Sequence, residues 1–245
     1  MSVQFYNKSQ KKIAKGFFII GTDTGVGKTV VSVALLIMLA RQGFKTTAIK
    51  PIASGCLLTS SGLRNDDALT LQKYATHKID YAQTNPFAFA EPIAPHIAAA
   101  KSNTKLTIAE ILTKTARTIS SKADYIVIEG AGGLYVPLNS QETMIDLIKA
   151  YNYPVILVVG IKLGCINHAL LTLEYIYNSN IKIAGWVANV IDPNMQYIDE
   201  NVDSVKQRVD LPLLGVIPYQ SNLDLVTISM ILHPPQMFEF YCGDL

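Results

Sequence analysis

The residues with the clearest chemistry are 21–29, which read Gly-Thr-Asp-Thr-Gly-Val-Gly-Lys-Thr. A short apolar run precedes them and an apolar helical pattern follows, so the order is strand, glycine loop, helix. Such a loop turns backbone N–H groups toward one point at a helix N-terminus, where the helix dipole also favours anions. The lysine of such a loop reaches the β- and γ-phosphates of a nucleotide, and the hydroxyl of the next residue, Thr29, ligates Mg²⁺.

The match to the strict pattern G-x-x-x-x-G-K-[ST] is incomplete, because Thr22 stands where the first glycine is expected. An ordinary Gly-rich turn is the alternative. The order of Gly25, Gly27, Lys28 and Thr29 between a strand and a helix favours phosphate binding.

Two more charged side chains come at the ends of predicted strands. Lys50 closes a strand over residues 45–50, and Glu129 closes a strand over residues 123–129 and is followed by three glycines in four residues. Ligands bind at the carboxyl ends of parallel strands, and P-loop proteins place there the acid that holds Mg²⁺. Glu129 is therefore expected to contact metal and phosphate. Lys50 and Ser54 are candidate site residues, although a lysine there also fits a solvated strand end.

Five other residues have structural explanations beside functional ones. Asp66 fits a helix N-cap and Asp67 a first-turn acid, and spacing alone does not select Asp67 as a metal ligand. His96 fits loop structure or a pocket wall, because no second ligand lies at zinc spacing. Cys165 and His168 lie at a strand-to-helix junction whose N–H groups could hold a carboxylate, and both residues are expected to be structural.

The remaining pattern alternates strands and helices. Strands are predicted at 45–50, 123–129, 153–161, 181–190 and 213–217, helices at 29–41, 68–74, 108–120, 167–177 and 197–208, a polar loop at 59–65, and an irregular segment at 85–100. This order predicts a single-domain α/β, P-loop NTPase-like fold of three layers, with a mostly parallel sheet and helices on both faces.

Composition narrows the class of protein. The chain has 245 residues, of which 49% are hydrophobic and 16% charged, so it can bury a large core. The net charge of +2 predicts small-molecule partners and no nucleic acid. Residues 1–15 predict a flexible leader, residues 16–245 one domain, and no apolar stretch is long enough for a membrane. Three cysteines make no paired framework, which favours the cytoplasm.

Seven motifs in order along the chain resemble the dethiobiotin synthetase family. The likeness covers about residues 17–219 and is carried by residues 21–29, Lys-Pro-Ile-Ala-Ser-Gly at 50–55, Gly-Leu-Arg-Asn-Asp-Asp-Ala at 62–68, Asn-Pro-Phe-Ala-Phe-Ala-Glu-Pro at 85–92, Glu-Gly-Ala-Gly-Gly at 129–133, residues 158–168, and Gly-Trp-Val-Ala-Asn at 185–189.

The resemblance implies an ATP- and Mg²⁺-dependent cyclo-ligase of biotin biosynthesis, which converts 7,8-diaminononanoate and CO₂ to dethiobiotin, ADP and phosphate. It implies a homodimer with the active site at the two-fold interface. The implied catalytic residues are Lys28, Lys50 and Thr29, and the implied Mg²⁺ ligands are Thr29, Asp67 and Glu129.

The same resemblance assigns binding roles. Residues that would bind the nucleotide and its metal are Thr24, Gly25, Val26, Gly27, Lys28, Thr29, Val30, Asp67, Glu129, Gly130, Ala131, Gly132, Asn189, Val190, Pro218, Tyr219 and Gln220, with Asn189 and residues 218–220 at the adenine. Residues that would bind the diamine or its carbamate are Ser54, Gly132 and Gly133. The neighbouring subunit would supply Gly164, Cys165, Ile166 and Asn167 to the substrate carboxylate.

The sequence departs from the family in two places. Asn201 stands where members carry a tyrosine near the substrate carboxylate, and Tyr197 lies four residues earlier. We expect Tyr197 to take over that contact from the same helix face. The tail, residues 221–245, also diverges, and disorder, a dimer contact or a nucleotide lid are all open for it.

The main alternative is a partitioning or septum-site ATPase switch of the same fold. Those proteins carry a signature lysine where this chain has Asp23. A cobyrinate-type amido-ligase would need a glutaminase domain, for which too little chain remains. A binding module without catalysis disagrees with the presence of Lys28, Lys50, Asp67 and Glu129.

Overall fold

The computed structural model describes residues 14–222 and 224–233. The elements in chain order are β1 Lys15–Gly21, α1 Lys28–Arg41, β2 Thr46–Ile49, β3 Ile52–Ala53, β4 Leu57–Thr59, β5 Gly62–Arg64, α2 Asp66–Tyr74, α3 Tyr81–Thr84, β6 Phe87–Ala88, α4 Pro95–Lys101, α5 Ile108–Ile119, β7 Tyr125–Glu129, α6 Met144–Tyr151, β8 Val155–Ile161, α7 Cys165–Asn178, β9 Ile183–Val190, α8 Ile198–Lys206, β10 Leu213–Ile217 and α9 Leu225–Ile231.

Six strands of the described chain form the central sheet, in the order β10-β9-β8-β1-β7-β2, and every pairing in it is parallel. The inner strands are almost continuous apolar runs, as expected for a parallel sheet that is covered on both faces. The predicted fold class is confirmed. The carboxyl ends of these strands lie at one edge, where the site is built.

Alternating side chains of β1 enter two different cores. Phe18 and Ile20 pack in the core that contains residues of α5, α6, α7 and α8. Phe17 and Ile19 pack in the core that contains residues of α1, α2 and α9. Because successive strand residues point to opposite faces, one buried strand joins the two helical layers into a three-layer domain.

The tail of the described chain belongs to this domain. Helix α9 packs on α1, and its Ile228 is fully buried in the core shared with α1. After the helix, the His233 N–H donates to the Leu214 carbonyl of β10 at 2.8 Å. The predicted divergent tail is thus helical and packed over residues 225–231, and residues 234–245 lie outside the described chain, as do residues 1–13 of the predicted leader.

Several local predictions were wrong. The loop at 59–65 is largely the β4–β5 hairpin, and the irregular segment at 85–100 contains β6 and α4. The side chain that caps α2 is Asn65 rather than Asp66, because its oxygen accepts the Ala68 N–H at 3.1 Å. Helix α6 was not predicted. Its start is marked in the sequence by Thr143 and Asp146, which form a capping box.

No helix within residues 14–222 and 224–233 has the length and apolar character that a bilayer crossing requires.

Replacement of a buried residue of α9 tests whether the tail stabilises the domain. Ile228→Ala should lower the free energy of unfolding by about 2–4 kcal/mol, because it opens a cavity against α1. Met230→Ala on the same helix, where the side chain is 59% exposed, should change it by less than about 0.5 kcal/mol. The measurement is the midpoint of urea unfolding, with the slope of the free energy of unfolding against urea concentration unchanged. Equal midpoints for the two variants would contradict the packing role of α9.

Candidate active site

We name the glycine loop within residues 21–29 the phosphate loop. It joins the end of β1 to the start of α1. Its last residue before the helix, Gly27, is the N-cap and has a φ of 91°, in the left-handed region that favours glycine. A methyl group there would also overlap the side-chain amide of Asn189. Gly27 therefore allows both the turn and a close approach of β9 to the loop.

Lys28 lies beneath this loop and is 7% exposed. Its Nζ donates to the backbone carbonyl of Asp23 at 2.9 Å, which folds the side chain back along the loop. Burial, and then the nearby charge of Lys50, lower the pKa of Lys28 to about 8. A bound phosphate would reverse this effect, since a negative charge favours the protonated ammonium.

Three charged side chains meet next to the loop. Nζ of Lys50 lies 2.6 Å from Oε1 of Glu129 and 2.9 Å from Oδ2 of Asp67, and the Thr29 hydroxyl donates to the same Glu129 oxygen at 3.0 Å. We name Lys50, Asp67 and Glu129 the ion cluster. These positions, predicted from separate strand ends and a helix start, are thus brought to one point.

The environment of the ion cluster fixes the charge of its members. Burial disfavours the charged form of Lys50, but Glu129 and Asp67 outweigh it and the pKa of Lys50 is raised. Burial likewise disfavours the Asp67 carboxylate, but Lys50 and Thr29 outweigh it and the pKa of Asp67 is lowered. The lysine stays protonated and Asp67 stays ionised at neutral pH.

The donor set beside the loop fits Mg²⁺. Oε2 of Glu129 is buried and has no hydrogen-bond partner among the described residues, so one carboxylate oxygen is free for a ligand. With the Thr29 hydroxyl and the Asp67 carboxylate it makes a hard-oxygen set, which Mg²⁺ prefers. No cluster of three or more His, Cys, Asp or Glu occurs in the described ranges. Mg²⁺ does not need one, since it usually takes one or two carboxylates, substrate phosphates and water.

A cavity of about 680 Å³ opens beside the ion cluster. Its polar end is formed by the phosphate loop, the ion cluster and Ser54, whose Oγ is buried and has no partner within the described chain. Its other wall is apolar and comprises Ile52, Ala53, Val136, Pro137 and residues 92–95. The cavity therefore combines phosphate-binding groups with room for an aliphatic chain.

Twelve of the predicted site residues line this cavity. They are Thr24, Gly25, Gly27, Lys28, Thr29, Val30, Lys50, Ser54, Asp67, Glu129, Ala131 and Gly132. Val136 and Pro137 also line the cavity but were not predicted from the sequence, because they carry no charge and belong to no motif. Residues 92–95 fall in the segment that was predicted to be irregular, where a pocket wall was one of the two explanations given for His96. His96 itself lies in α4 rather than in a loop and is not among the lining residues.

Asn189 contacts the phosphate loop but is not among the residues that line the cavity. Asn189 lies near the carboxyl end of β9, and its Nδ2 donates to the Val26 carbonyl of the loop at 2.9 Å. Val190 ends the same strand, and Pro218, Tyr219 and Gln220 follow β10, the neighbouring strand. These residues predicted for adenine therefore lie at the same sheet edge as the phosphate loop.

The residues expected to bind a substrate carboxylate gather at the start of α7. Gly164 is the N-cap, with a φ of 92°, and the helix begins at Cys165, two residues earlier than predicted. None of Gly164, Cys165, Ile166 and Asn167 lines the described cavity of this chain. Leu163, just before them, is 90% exposed.

Helix α8 begins at Ile198, one residue later than predicted, and Tyr197 is its N-cap in the left-handed conformation, with a φ of 55°. The Tyr197 carbonyl accepts the Asn201 N–H at 3.0 Å, which is the bond of a first helical turn. The two residues are joined by another contact, because Asn201 Nδ2 donates to the Tyr197 carbonyl at 2.8 Å. The Tyr197 side chain is 70% exposed and is free to meet a ligand or a second subunit.

Solved structures agree with the architecture. The cell division ATPase MinD from Pyrococcus furiosus superposes with a TM-score of 0.57 at 16% identity, over 93% of this chain and all of that one. A putative plasmid partition protein from Borrelia burgdorferi, bound to AMPPNP, gives 0.54 at 15% identity, over 96% of this chain and all of that one. At such identities the likeness concerns the fold. The fold and the site together define a P-loop nucleotide-binding protein.

The sequence comparisons identify the family within that class. The model of a family described as an AAA domain matches residues 15–227. ATP-dependent dethiobiotin synthetases are 48% identical in Cellvibrio japonicus, over 90% of this chain and 97% of that protein, and 45% identical in Yersinia pestis, over 86% of this chain and 88% of that protein. The chain belongs to the dethiobiotin synthetase family.

Gly27→Ala tests the geometry of the phosphate loop. The variant should bind a fluorescent ATP analogue at least about tenfold more weakly, because a side chain at this φ is strained and also displaces Asn189. Gly43→Ala is the matched control, since Gly43 has a φ of 87° with open space around it, away from the site. Equal affinities of the two variants would contradict the assignment of this loop.

Proposed function

We propose that the protein is an ATP- and Mg²⁺-dependent dethiobiotin synthetase, which closes the ureido ring of dethiobiotin from 7,8-diaminononanoate and CO₂ in biotin biosynthesis. The observation that carries the proposal is the contact of Lys50 with Glu129 and Asp67 beside the phosphate loop. Glu129 and Asp67 raise the pKa of Lys50 and so favour its protonated form, and this ammonium would lie beside the γ-phosphate and the carbamate oxygen. The family relation supplies the substrate class.

The reaction has three steps. One amine of the diamine adds to CO₂ and loses a proton to give a carbamate. A carbamate oxygen then attacks the γ-phosphorus of ATP, and the bond to ADP breaks. The second amine finally attacks the carbamate carbon, closes the ring and expels phosphate, and its proton passes to solvent.

The chain contributes positioning and charge to these steps. Lys28 and Lys50 flank the carbamate and γ-phosphate, so they offset negative charge that grows in the transition state. The Ser54 hydroxyl, buried without a partner among the described residues, would bind the amine or carbamate. The backbone of Gly132 and Gly133 would approach the same group, and the apolar wall would hold the methylene chain.

Mg²⁺ bound by Thr29, Asp67 and Glu129 would neutralise the β- and γ-phosphate oxygens. Nucleotide phosphates would contact the N–H groups of residues 24–30, and Gly130 and Ala131 lie next to Glu129 at the end of β7. Asn189, Val190, Pro218, Tyr219 and Gln220 would hold the adenine.

We also propose a homodimer in the cytoplasm. The start of α7 presents backbone N–H groups that suit a carboxylate, yet it does not line the cavity of its own chain. A two-fold arrangement would bring Gly164, Cys165, Ile166 and Asn167 to the neighbouring site. Leu163 is well exposed at this point and would be covered. The buried free thiols of Cys56 and Cys165 agree with a reducing compartment.

The alternative, an ATPase switch, has the same fold, but two features of this chain disagree with it. Its signature lysine is absent, and at the corresponding position Asp23 accepts the Thr24 N–H at 2.7 Å and approaches Lys162 Nζ at 3.4 Å. An enzyme also needs a substrate cavity next to the phosphate loop, and this chain has one.

Phosphate release from ATP and Mg²⁺ in bicarbonate-equilibrated buffer, with and without 7,8-diaminononanoate, tests the activity. Release should require the diamine, and the product should have the mass of dethiobiotin. Lys50→Ala should reduce kcat by about 10²–10³-fold, since one preorganised donor to developing charge is lost. Lys101→Ala, which removes an exposed lysine 3.8 Å from Glu91, should have no effect. Equal phosphate release with and without the diamine would refute the ligase function and favour the ATPase switch.

Tyr197→Phe tests the contact with the substrate carboxylate. The KM of the diamine should rise about tenfold, as expected for the loss of one hydrogen bond to a charged group, while kcat stays within about twofold. Tyr177→Phe, at a position 77% exposed on α7, should leave both constants unchanged. An unaltered KM in Tyr197→Phe would remove this residue from the site.

A further inference from the structure

The catalytic Lys50 is not held by the central sheet. Strand β2 is an edge strand, and its last paired residue is Ile49, which lies opposite Ile128. Lys50 therefore comes one residue beyond the ladder, and its backbone groups need other partners. The end of α3 supplies them: the Lys50 N–H donates to the carbonyl of Thr84, the last residue of α3, at 2.8 Å, and Nδ2 of the next residue, Asn85, donates to the Lys50 carbonyl at 2.7 Å.

The same asparagine begins a series of hydrogen bonds that ends at the helix of Asp67. The Tyr81 hydroxyl donates to Asn85 Oδ1 at 3.1 Å and accepts the Asn65 N–H at 2.7 Å. Asn65 Oδ1 in turn accepts the Ala68 N–H at 3.1 Å and caps α2. Asp67 is the second residue of that helix, so the series joins the backbone of the lysine to the first turn that carries the carboxylate.

The series closes into a ring through the side chains. Lys50 Nζ lies 2.9 Å from Asp67 Oδ2, so the two residues joined through Asn85, Tyr81 and Asn65 also meet directly in the ion cluster. The central groups are well held: Asn85 is 3% exposed, and the Arg64 guanidinium lies 4.2 Å from the centre of the Tyr81 ring. Tyr81 is thus linked by hydrogen bonds both to the backbone of Lys50 and to the first turn that carries Asp67.

We propose that Tyr81 and Asn85 are positioning residues that set the distance between Lys50 and Asp67 and so prepare the site for the metal-bound nucleotide. The inference rests on the proposed function for the roles of those two residues. Tyr81 suits this task because its hydroxyl accepts from one N–H and donates to one carboxamide at the same time. Phenylalanine would leave the Asn65 N–H and Asn85 Oδ1 without these partners.

Nucleotide binding without the diamine is the first test. A fluorescent, non-hydrolysable ATP analogue is titrated with and without Mg²⁺. Tyr81→Phe should lose about tenfold or more of the affinity gained on adding Mg²⁺, as for other groups that orient a metal ligand, and its metal-free affinity should stay within about twofold of wild type. Tyr151→Phe is the matched control, since it removes a buried tyrosine hydroxyl bonded to Thr115 at 2.9 Å, away from the site.

The outcomes separate positioning from simple stabilisation. If both tyrosine variants lose the same Mg²⁺-dependent affinity, or if Tyr81→Phe loses none, the proposal is overturned. Asn85→Asp, which keeps the acceptor for Tyr81 but removes the donor to Lys50, should reproduce the effect and covers the case in which Tyr81→Phe does not fold. In the full reaction with the diamine, Tyr81→Phe should lower kcat about tenfold and leave the KM of the diamine unchanged. A wild-type protein that makes no dethiobiotin would refute the proposed function and leave the binding result standing.

Discussion

The site depends on one buried ammonium held between two carboxylates. Lys50 could not remain charged at this depth alone, because burial disfavours an isolated ion, and Glu129 and Asp67 would repel each other without it. Together with Lys28 the group has two positive and two negative formal charges. These opposite charges offset one another, so the group is held in place within the fold by its own ion pairs.

The three-layer fold determines where this group can exist. Lys50 follows β2, Glu129 is the last residue of the neighbouring strand β7, and the phosphate loop follows β1 on the other side of β7. Parallel strands bring all three to one edge of the sheet. Asp67 comes from a helix instead, and its position depends on the cap of α2 and on the bonds that anchor Tyr81. The site thus combines a rigid sheet edge with one less directly held element.

The sequence predicted the elements whose signals are local. Apolar runs located the central strands, and the glycine pattern located the turn between β1 and α1, since both patterns depend on neighbouring residues. The β4–β5 hairpin was missed because its strands are only three residues long and β4 is fully exposed. Asp66 was mistaken for the cap because Asn65 is an equally good cap one residue earlier. The bonds of Tyr81 and Asn85 join segments far apart in sequence, and no local pattern reports them.

Helix α9 has a consequence for how the chain is made. It covers an apolar face of α1, the helix that begins at the phosphate loop, although almost two hundred residues separate the two helices in the sequence. During synthesis the N-terminal half leaves the ribosome with that face bare, and it stays bare until residues 225–231 have also emerged. A chain interrupted before α9 would therefore expose this apolar face of α1 to chaperones and to other chains.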